Sequence, residues 1–358
     1  MSFTPRLEIY PERIEANARS IIEFCHSKGI NVACVTKVTC AHPRVVKALE
    51  SAGADMLADS RLENLKAIRQ IGTHLPLMLL RIPTPSRAEE AIRFADISLT
   101  SSIETTRALA AAAVKMNKQH QVILMVDVGD LREGIWPDQI RKIVEQMIVL
   151  PNLQLIGLGT NLACYGGVIP TTDKMQMLID LRNECQTWTR LPLPILCGGN
   201  SANLPLLYSG GMPQEINLLR IGETILLGRN VIDRSAWPNT RQDTFRLVAE
   251  VVELERKPSI PIGQRGQDAF GGTPQFVDRG IRQRAICNIG RQDVVVDNLE
   301  PQDPGMIILG GSSDHLIVDV EDASTPIQPG TEIGFYPGYG ALLAASTSPY
   351  IQKMVIEE

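Results

Sequence analysis

The chain lacks a long apolar run and a cluster of basic residues, and each absence excludes a class of protein. Nowhere in its 358 residues do about 18 apolar residues follow one another, so no membrane-spanning helix is expected. The net charge is −5, and Lys and Arg form no block that would suit a nucleic-acid partner. Residues 1–6 lack the basic-then-apolar pattern of a signal peptide, and we expect a cytoplasmic protein.

The cysteines and histidines lack the spacing of a metal site. The seven cysteines include no Cys-x-x-Cys pair, and the five histidines are scattered along the chain. An odd number of widely spaced cysteines suits reduced thiols, most of them buried as small apolar side chains. We therefore expect reduced cysteines and no bound metal.

Short apolar runs alternate with amphipathic stretches from residue 30 to about residue 228, which is typical of βα repeats in a parallel sheet. We predict strands at 31–38, 55–59, 75–82, 96–101, 121–129, 153–161, 194–199 and 216–221, and helices at 43–52, 61–72, 86–94, 104–117, 139–149 and 172–188. Eight such strands favour an α/β fold of the (β/α)8 barrel type. A doubly wound sheet is the alternative, but Lys37 follows the first strand where that fold usually carries a glycine-rich dinucleotide turn.

After about residue 235 the pattern changes to short strand-like runs between Gly and Pro turns. We predict strands at 244–254, 284–289, 293–296, 306–310, 316–320 and 331–335, and the alternating residues 7–10 could pair with them. The chain would then have two domains, a barrel at 10–234 and a smaller β-rich C-terminal domain at 235–358 that includes residues 1–9. The loop 258–280 is long and rich in Gly, Pro and Gln, as functional or mobile loops are.

Lys37 ends the first predicted barrel strand, which is a short apolar and β-branched run. The carboxyl ends of barrel strands converge on one mouth, so the strand delivers an amine to that place. Burial there would disfavour the ammonium form, lower the pKa of the amine and make it available to form a Schiff base with a carbonyl. Alternatively, the side chain extends past the end of the sheet into water.

Two turns near the end of the predicted barrel suit a phosphate group. The seventh strand ends in Gly-Gly-Asn-Ser, in which Asn200 and Ser201 add polar side chains to a series of N–H groups. The eighth strand ends in Arg220, Ile221 and Gly222. Phosphate sites of (β/α)8 barrels commonly lie after strands seven and eight, so a phosphate-bearing cofactor is expected at these turns.

Several motifs occur in a fixed order along the chain. They are the strand-end Lys37, Arg132 in Gly-x-x-Arg-x-Gly, Asn-Ser-Ala at 200–202, Arg-Ile-Gly at 220–222, Gly-Arg-Gln-Asp at 290–293, Ser-Ser-Asp-His at 312–315, and the run 339–350. Together they resemble the pyridoxal-phosphate enzymes of the alanine racemase fold, fold type III, and most closely the branch that includes ornithine racemase. The likeness spans about residues 5–356. It implies a pyridoxal-phosphate-dependent racemase, an isomerase, whose substrate is an amino acid and, from the branch, a basic one such as ornithine or lysine.

The resemblance also implies which residues bind the cofactor. Lys37 would carry it and act as one base, and Ser201 with the N–H groups of Ile221 and Gly222 would hold the phosphate. Arg220 would face the pyridine nitrogen and keep it unprotonated, which favours racemisation over aminotransfer. The full implied set is Lys37, Asn161, Asn200, Ser201, Arg220, Ile221 and Gly222.

Arg132 and Tyr339 complete the implied catalytic set. Arg132 would approach the phenolic oxygen of the cofactor and the substrate carboxylate, unless it is a surface residue that pairs with neighbouring glutamates. Alanine racemases take their second base from a Gly-Tyr-x-Asp-Gly motif, and the nearest region here, residues 276–282, has no tyrosine. The second base therefore stays open between Tyr339, Asp314, His315 and a route through lysine and water.

Four acidic residues near the predicted mouth could meet the distal ammonium group of a basic substrate. They are Asp59, Asp127, Asp130 and Glu133. Acidic residues at strand ends are common, so this assignment is a hypothesis.

Two other functions are compatible with a cofactor site of this kind. A pyridoxal-phosphate carrier or homeostasis protein would share sites like Lys37 and Ser201, but such chains lack a β-rich domain. A lyase of the same fold would catalyse decarboxylation, aldol cleavage or dehydration. The metal-dependent aldolases and dehydratases should show a His/Cys pair in that domain, where His315 is the one histidine, and decarboxylases should show a Cys-Glu-Ser-type motif, which this chain lacks. The resemblance instead implies a homodimer in which each β-rich domain closes the active site of its partner.

Overall fold

The computed structural model describes residues 3–358, which divide into two compact units. Residues 12–242 form one unit, and residues 3–11 join residues 243–358 in the other. The predicted domain boundary after residue 234 lies a few residues before this division. Within the described residues, no helix combines the length and the apolar character needed to cross a bilayer.

The unit of residues 12–242 is a closed barrel of eight parallel strands. The chain begins with a strand of the other unit, β1 (Arg6–Ile9). The elements that follow it are α1 (Pro11–His26), β2 (Asn31–Val35), α2 (Pro43–Ser51), β3 (Met56–Asp59), α3 (Leu62–Ile71), β4 (Leu77–Leu79), α4 (Ala88–Phe94), β5 (Ile97–Thr100), α5 (Ile103–Lys115), β6 (His120–Met125), α6 (Ile140–Met147), β7 (Leu153–Gly159), α7 (Thr172–Thr189), β8 (Ile195–Gly199), α8 (Leu204–Tyr208), β9 (Leu218–Ile221) and α9 (Glu223–Leu227). Strand β9 pairs with β2 and closes the barrel, which confirms the predicted (β/α)8 architecture.

The barrel strands fold as they do because their side chains are apolar and their ends are bounded by turns. Val35, Met78, Leu99 and Ile123 lie in one buried cluster drawn from several strands. Burial of a side chain of this size contributes about 1.5–3 kcal/mol. Polar residues are placed after the strands, at the carboxyl ends, where a parallel barrel builds its sites.

The second unit is built on an eight-stranded sheet. Its strands after the barrel are β10 (Phe245–Pro258), β11 (Ile281–Cys287), β12 (Leu299–Pro301), β13 (Ile307–Gly311), β14 (Leu316–Asp319), β15 (Glu332–Pro337) and β16 (Gln352–Val355), with α10 (Tyr339–Thr347) between the last two. Strand β1 pairs antiparallel with β10 and parallel with β16, so the expected pairing of residues 7–10 with the β-rich region is confirmed. The predicted β-rich character of this region is also confirmed.

The strand predicted at residues 293–296 is wrong. Asp293 lies in a turn, in which its backbone N–H donates to Gly290 O at 3.0 Å. The buried Asp293 carboxylate accepts a hydrogen bond from Ser348 Oγ at 2.6 Å. Because these local hydrogen bonds hold the backbone in a turn, it is not extended and cannot pair with another strand.

Candidate active site

Strand β2 ends at Val35, earlier than the predicted end at residue 38, and Lys37 begins a short 3₁₀ turn two residues later, residues Lys37–Thr39. The side chain is half-buried. Burial lowers the pKa of its amine below the ordinary value, and the neighbouring positive charges of Arg132 and Arg220 lower it further. Cys164 and Asp59 act on the same amine in the opposite direction. The amine therefore lies close enough to four ionisable side chains of the barrel unit for their charges to act on it.

A buried carboxylate supports the turn that carries Lys37. Asp59, at the end of β3, accepts a hydrogen bond from Thr36 Oγ1 at 2.6 Å. It also accepts from the backbone N–H of Arg61 at 2.9 Å and from Asn64 Nδ2 at 3.1 Å. Burial raises the pKa of Asp59, and these three donors oppose that rise. The network fixes the strand end from which Lys37 projects.

The turns after β8 and β9 lie against each other. Asn200 Oδ1 accepts from the Ala202 N–H at 2.8 Å, and its Nδ2 donates to Leu162 O at 2.8 Å. Gly199 has φ +130° and its Cβ position is 2.7 Å from Asn203 Nδ2, so a larger residue would not fit this turn. The Ser201 hydroxyl accepts from the Gly222 N–H at 3.3 Å, which joins the two turns.

Arg220 is buried on β9, and its contacts are all to neutral groups. It donates to Cys197 Sγ at 2.7 Å, to Thr160 O at 3.0 Å and to Asn161 Oδ1 at 3.2 Å. No carboxylate among residues 3–358 forms an ion pair with it. A guanidinium that is 5% exposed and lacks a counter-ion is costly unless a ligand supplies one or accepts its remaining N–H groups.

Buried polar atoms near these turns also lack partners. Four of them are Thr160 Oγ1, Asn161 Nδ2, Asn203 Oδ1 and Thr224 Oγ1. A buried polar atom without a hydrogen bond costs about 1–3 kcal/mol. This donor and acceptor set fits a polar cofactor with a phosphate group and a ring nitrogen. Residues 3–358 contain no cluster of His, Cys, Asp or Glu that could hold a metal.

Arg132 lies in the segment after β6 and contacts two side chains. Its Nη1 donates to Cys164 Sγ at 2.8 Å, and its guanidinium forms an ion pair with Glu133. The alternative in which Arg132 pairs with a neighbouring glutamate thus describes one of its contacts. The other contact turns the guanidinium toward the loop that follows β7.

The four acidic residues expected near a distal ammonium group already have partners. Asp59 supports the Lys37 turn, and Glu133 pairs with Arg132. Asp127 accepts from the backbone N–H groups of Gly129 at 2.8 Å and Leu131 at 3.3 Å. Asp130 accepts from three backbone N–H groups of the loop after β7. The structure uses these carboxylates to fix loops.

Cys164 and Glu223 lie close enough to Lys37 to interact with its charge, although sequence reasoning gave neither of them a role. Burial raises the pKa of the Glu223 carboxyl, and the ion pair with Arg234 and the charge of Lys37 oppose this. Both residues follow barrel strands, and this position was the one feature of the sequence that could have indicated a role in the site. It was not enough to select them, because most residues at strand ends do not turn toward the barrel mouth. Tyr339 begins α10 in the other unit, and its catalytic role stays a prediction.

The barrel carries a half-buried lysine after its first strand, and the turns after its last two strands are joined by a hydrogen bond. This combination is typical of one class of proteins, those with the alanine racemase fold. Residues 9–230 match the family described as alanine racemase, N-terminal domain, and the chain belongs to this family. It is 44% identical to ornithine racemase of Acetoanaerobium sticklandii over 98% of this chain and 99% of that protein. It is 39% identical to lysine racemase of Thermotoga maritima over 98% of each chain.

Solved structures show the same fold. Alanine racemase from Bartonella henselae, with covalently bound pyridoxal phosphate, superposes with a TM-score of 0.74 over 99% of this chain and 100% of that chain, at 17% identity. At that identity the likeness establishes the fold alone. The full-length relatives establish the activity class: the protein is an amino-acid racemase, an isomerase. The carrier and lyase alternatives are therefore set aside.

Proposed function

We propose that the protein interconverts the L and D enantiomers of a basic amino acid, ornithine or lysine, with pyridoxal phosphate held at the barrel mouth. The observation that carries the cofactor proposal is the convergence on one half-buried amine. Lys37 has a lowered pKa and lies within reach of the charges of Arg132 and Arg220. The substrate class is supported by the two relatives that match the chain over nearly its whole length.

The cofactor would be held by residues of the barrel unit alone. Ser201 and the N–H groups of Ile221 and Gly222 would receive the phosphate, because the Ser201 hydroxyl and the Gly222 N–H already meet at 3.3 Å. Asn161 and Asn200 line the approach, and Asn161 Nδ2 has no internal partner. When bound, pyridoxal phosphate supplies a ring that accepts electron density from the substrate's α-carbon and so makes the α-proton removable.

Arg220 would face the ring nitrogen. A guanidinium is an always-charged donor that does not give up its proton, so the ring nitrogen would accept a hydrogen bond from it and would stay unprotonated. By leaving the nitrogen unprotonated, Arg220 would limit how strongly electron density is held away from the α-carbon and would favour prompt return of a proton to that carbon. This property suits racemisation and disfavours aminotransfer.

Lys37 would serve twice, first as the attachment point of the cofactor and then as a base at Nζ. Because its pKa is lowered, Lys37 reaches the neutral form more readily than an ordinary lysine does, and in that form Nζ can accept the α-proton of one enantiomer and return it. Arg132 would orient the substrate carboxylate through paired N–H donors. To bind the carboxylate in this way, Arg132 would have to break its ion pair with Glu133.

We further propose that the protein acts as a homodimer with shared active sites. Tyr339 would be contributed by the β-rich unit, near the substrate. In this proposal the domains are the barrel of residues 10–234 and the β-rich domain of residues 235–358 with residues 1–9.

The substrate is tested with single enantiomers. Purified protein with added pyridoxal phosphate is incubated with L-ornithine, L-lysine and L-alanine, and the enantiomers are separated by chiral chromatography. We expect conversion of ornithine or lysine toward equal amounts of both enantiomers and slower conversion of alanine. Conversion of alanine alone would contradict the substrate class, and conversion of none would contradict the proposed function as a whole.

A further inference from the structure

The loop between β7 and α7 carries an exposed thiol beside the proposed site. Among the cysteines of residues 3–358, Cys164 is exposed, Cys40 is partly buried and the others are buried. An exposed cysteine alone would carry no function. Cys164 differs because its Sγ accepts a hydrogen bond from Arg132 Nη1 at 2.8 Å.

The loop that carries this thiol is held in place by a buried carboxylate. Asp130 accepts hydrogen bonds from the backbone N–H groups of Cys164 at 3.3 Å, Tyr165 at 2.9 Å and Val168 at 3.2 Å. Burial alone would raise the pKa of Asp130, but these N–H groups hold it below its ordinary value, so the carboxylate remains ionised as an anchor. Asp130 and Arg132 lie two residues apart in the segment after β6, so this segment both anchors the backbone of Cys164 and carries the arginine that contacts its thiol.

Cys164 also lies close enough to Lys37 for the two to interact electrostatically. Cys164 raises the pKa of the Lys37 amine and so opposes the effect of burial. Both residues belong to the barrel unit. The other candidates for a second base, Tyr339, Asp314 and His315, belong to the β-rich unit.

We propose that Cys164 is the second proton-transfer residue of the racemase and acts on the face of the substrate's α-carbon opposite Lys37. This inference rests on the proposed function. In one direction Lys37 Nζ takes the α-proton as the C–H bond breaks, and the electron pair stays with the substrate. The Cys164 S–H bond then breaks and its proton forms the new C–H bond. The thiolate that remains accepts the N–H of Arg132 as a charge-assisted hydrogen bond.

The reverse reaction uses the same groups with their roles exchanged. The Cys164 thiolate takes the α-proton of the other enantiomer, and protonated Lys37 returns a proton on its own face. Between turnovers in one direction, Lys37 releases its proton to water and Cys164 takes one up. No oxidant or further reactant is needed.

Proton exchange in D₂O separates a catalytic thiol from a structural one. In Cys164→Ala we expect racemisation to fall by about 10²–10⁴-fold, the usual contribution of a positioned acid or base. One enantiomer should still exchange its α-proton for deuterium without inversion, because Lys37 still serves its face. A parallel loss of exchange and racemisation, or full racemisation by the variant, would overturn the proposal.

Two further variants serve as controls. Cys164→Ser keeps the size and hydrogen-bonding capacity of the side chain but is a far weaker base, and it should behave like Cys164→Ala. Tyr165→Ala changes the exposed neighbouring side chain of the same loop and should racemise as the unmodified protein does. If the unmodified protein racemises no basic amino acid, the proposed function fails. If it racemises and Cys164→Ala does so equally well, this inference fails alone.

A second readout does not depend on turnover. Iodoacetamide should alkylate Cys164 before the other cysteines, as mapped by peptide mass spectrometry, and ornithine with pyridoxal phosphate should protect it. Arg132→Gln should alter the rate of this alkylation, because it removes the guanidinium that donates to Cys164 Sγ. Alkylation that is unaffected by both the ligands and the Arg132 change would contradict the proposed position and pairing of the thiol.

Discussion

Arg220 is a buried charge whose surroundings indicate that a ligand binds next to it. Its three hydrogen-bond acceptors are a thiol sulfur, a carbonyl oxygen and an amide oxygen. Each is neutral, so the positive charge has no partner within the described residues. The cofactor ring would complete this environment.

Arg220→Gln tests the role of the charge. A neutral amide cannot keep the ring nitrogen unprotonated by repulsion, so we expect slower racemisation and a new, slow conversion of amino acid to keto acid. The ratio of keto acid to inverted amino acid, measured by chromatography, should rise at least about tenfold. A variant that loses both reactions equally would indicate a role in binding alone.

His120 gives a prediction for stability. It begins β6, it is buried, and its Nε2 lies 2.9 Å from Ser98 Oγ. Burial lowers the pKa of His120 to about 4, below the ordinary 6.5, so the folded state favours the neutral ring. Its contribution to stability is therefore complete above pH 6.5 and declines as the pH falls toward 4, since the unfolded chain binds a proton that the folded chain does not.

The test compares urea unfolding at pH 7.5 and pH 5 for the unmodified protein and His120→Gln. We expect the loss of unfolding free energy between these pH values to be smaller in the variant by about 1–2 kcal/mol. Equal losses in both proteins would show that His120 is not a source of the pH dependence.

Sequence reasoning identified several residues that the structure brings together, and it passed over others. Lys37, Ser201 and Arg220 could be singled out because each has an unusual side chain or turn at the end of an apolar strand. Cys164 could not be singled out in this way, because the sequence does not show that the Arg132 side chain contacts the loop after β7. Side-chain direction within a loop is set by contacts such as those of Asp130, which are distant in sequence.

Among the loops of the barrel, the one after β7 is held in place by hydrogen bonds to Asp130. Asp130→Asn replaces an ionised acceptor of three N–H groups with a weaker one. We expect a loss of about 1–3 kcal/mol in unfolding free energy and faster amide hydrogen exchange at residues 164–168. Asp173→Asn, an exposed change in the first turn of α7, is the matched control and should leave this exchange unaltered. Unchanged protection in Asp130→Asn would contradict the anchoring role.

The barrel strands were predictable as elements because each is a short apolar run between turns, and burial on both faces demands such runs. Three of the elements that were not predicted are of a different kind. Helix α10 is apolar along most of its length and shows no helical alternation, and β12 and β16 are only 3 and 4 residues long. Their formation depends on partners elsewhere in the second unit, such as β15 for β12 and β1 for β16.

At the scale of the whole molecule, the proposed homodimer is open to direct measurement. Sedimentation equilibrium should give twice the chain mass of 39.3 kDa. Activity per chain should fall on dilution through the dissociation range, because a shared site is incomplete in one chain. A monomer with full specific activity would contradict shared sites.

The proposed function depends first on Lys37 as the residue that holds the cofactor. Protein loaded with pyridoxal phosphate is reduced with sodium borohydride, which fixes a lysine-bound cofactor permanently, and the labelled peptide is identified by mass spectrometry. Lys174→Arg serves as the control, since Lys174 is a second barrel lysine, whose Nζ donates to Val128 O at 2.6 Å. We predict the label on Lys37 in the unmodified protein and in Lys174→Arg, and no label in Lys37→Arg. A label on any other lysine, or none in the unmodified protein, would contradict the proposal.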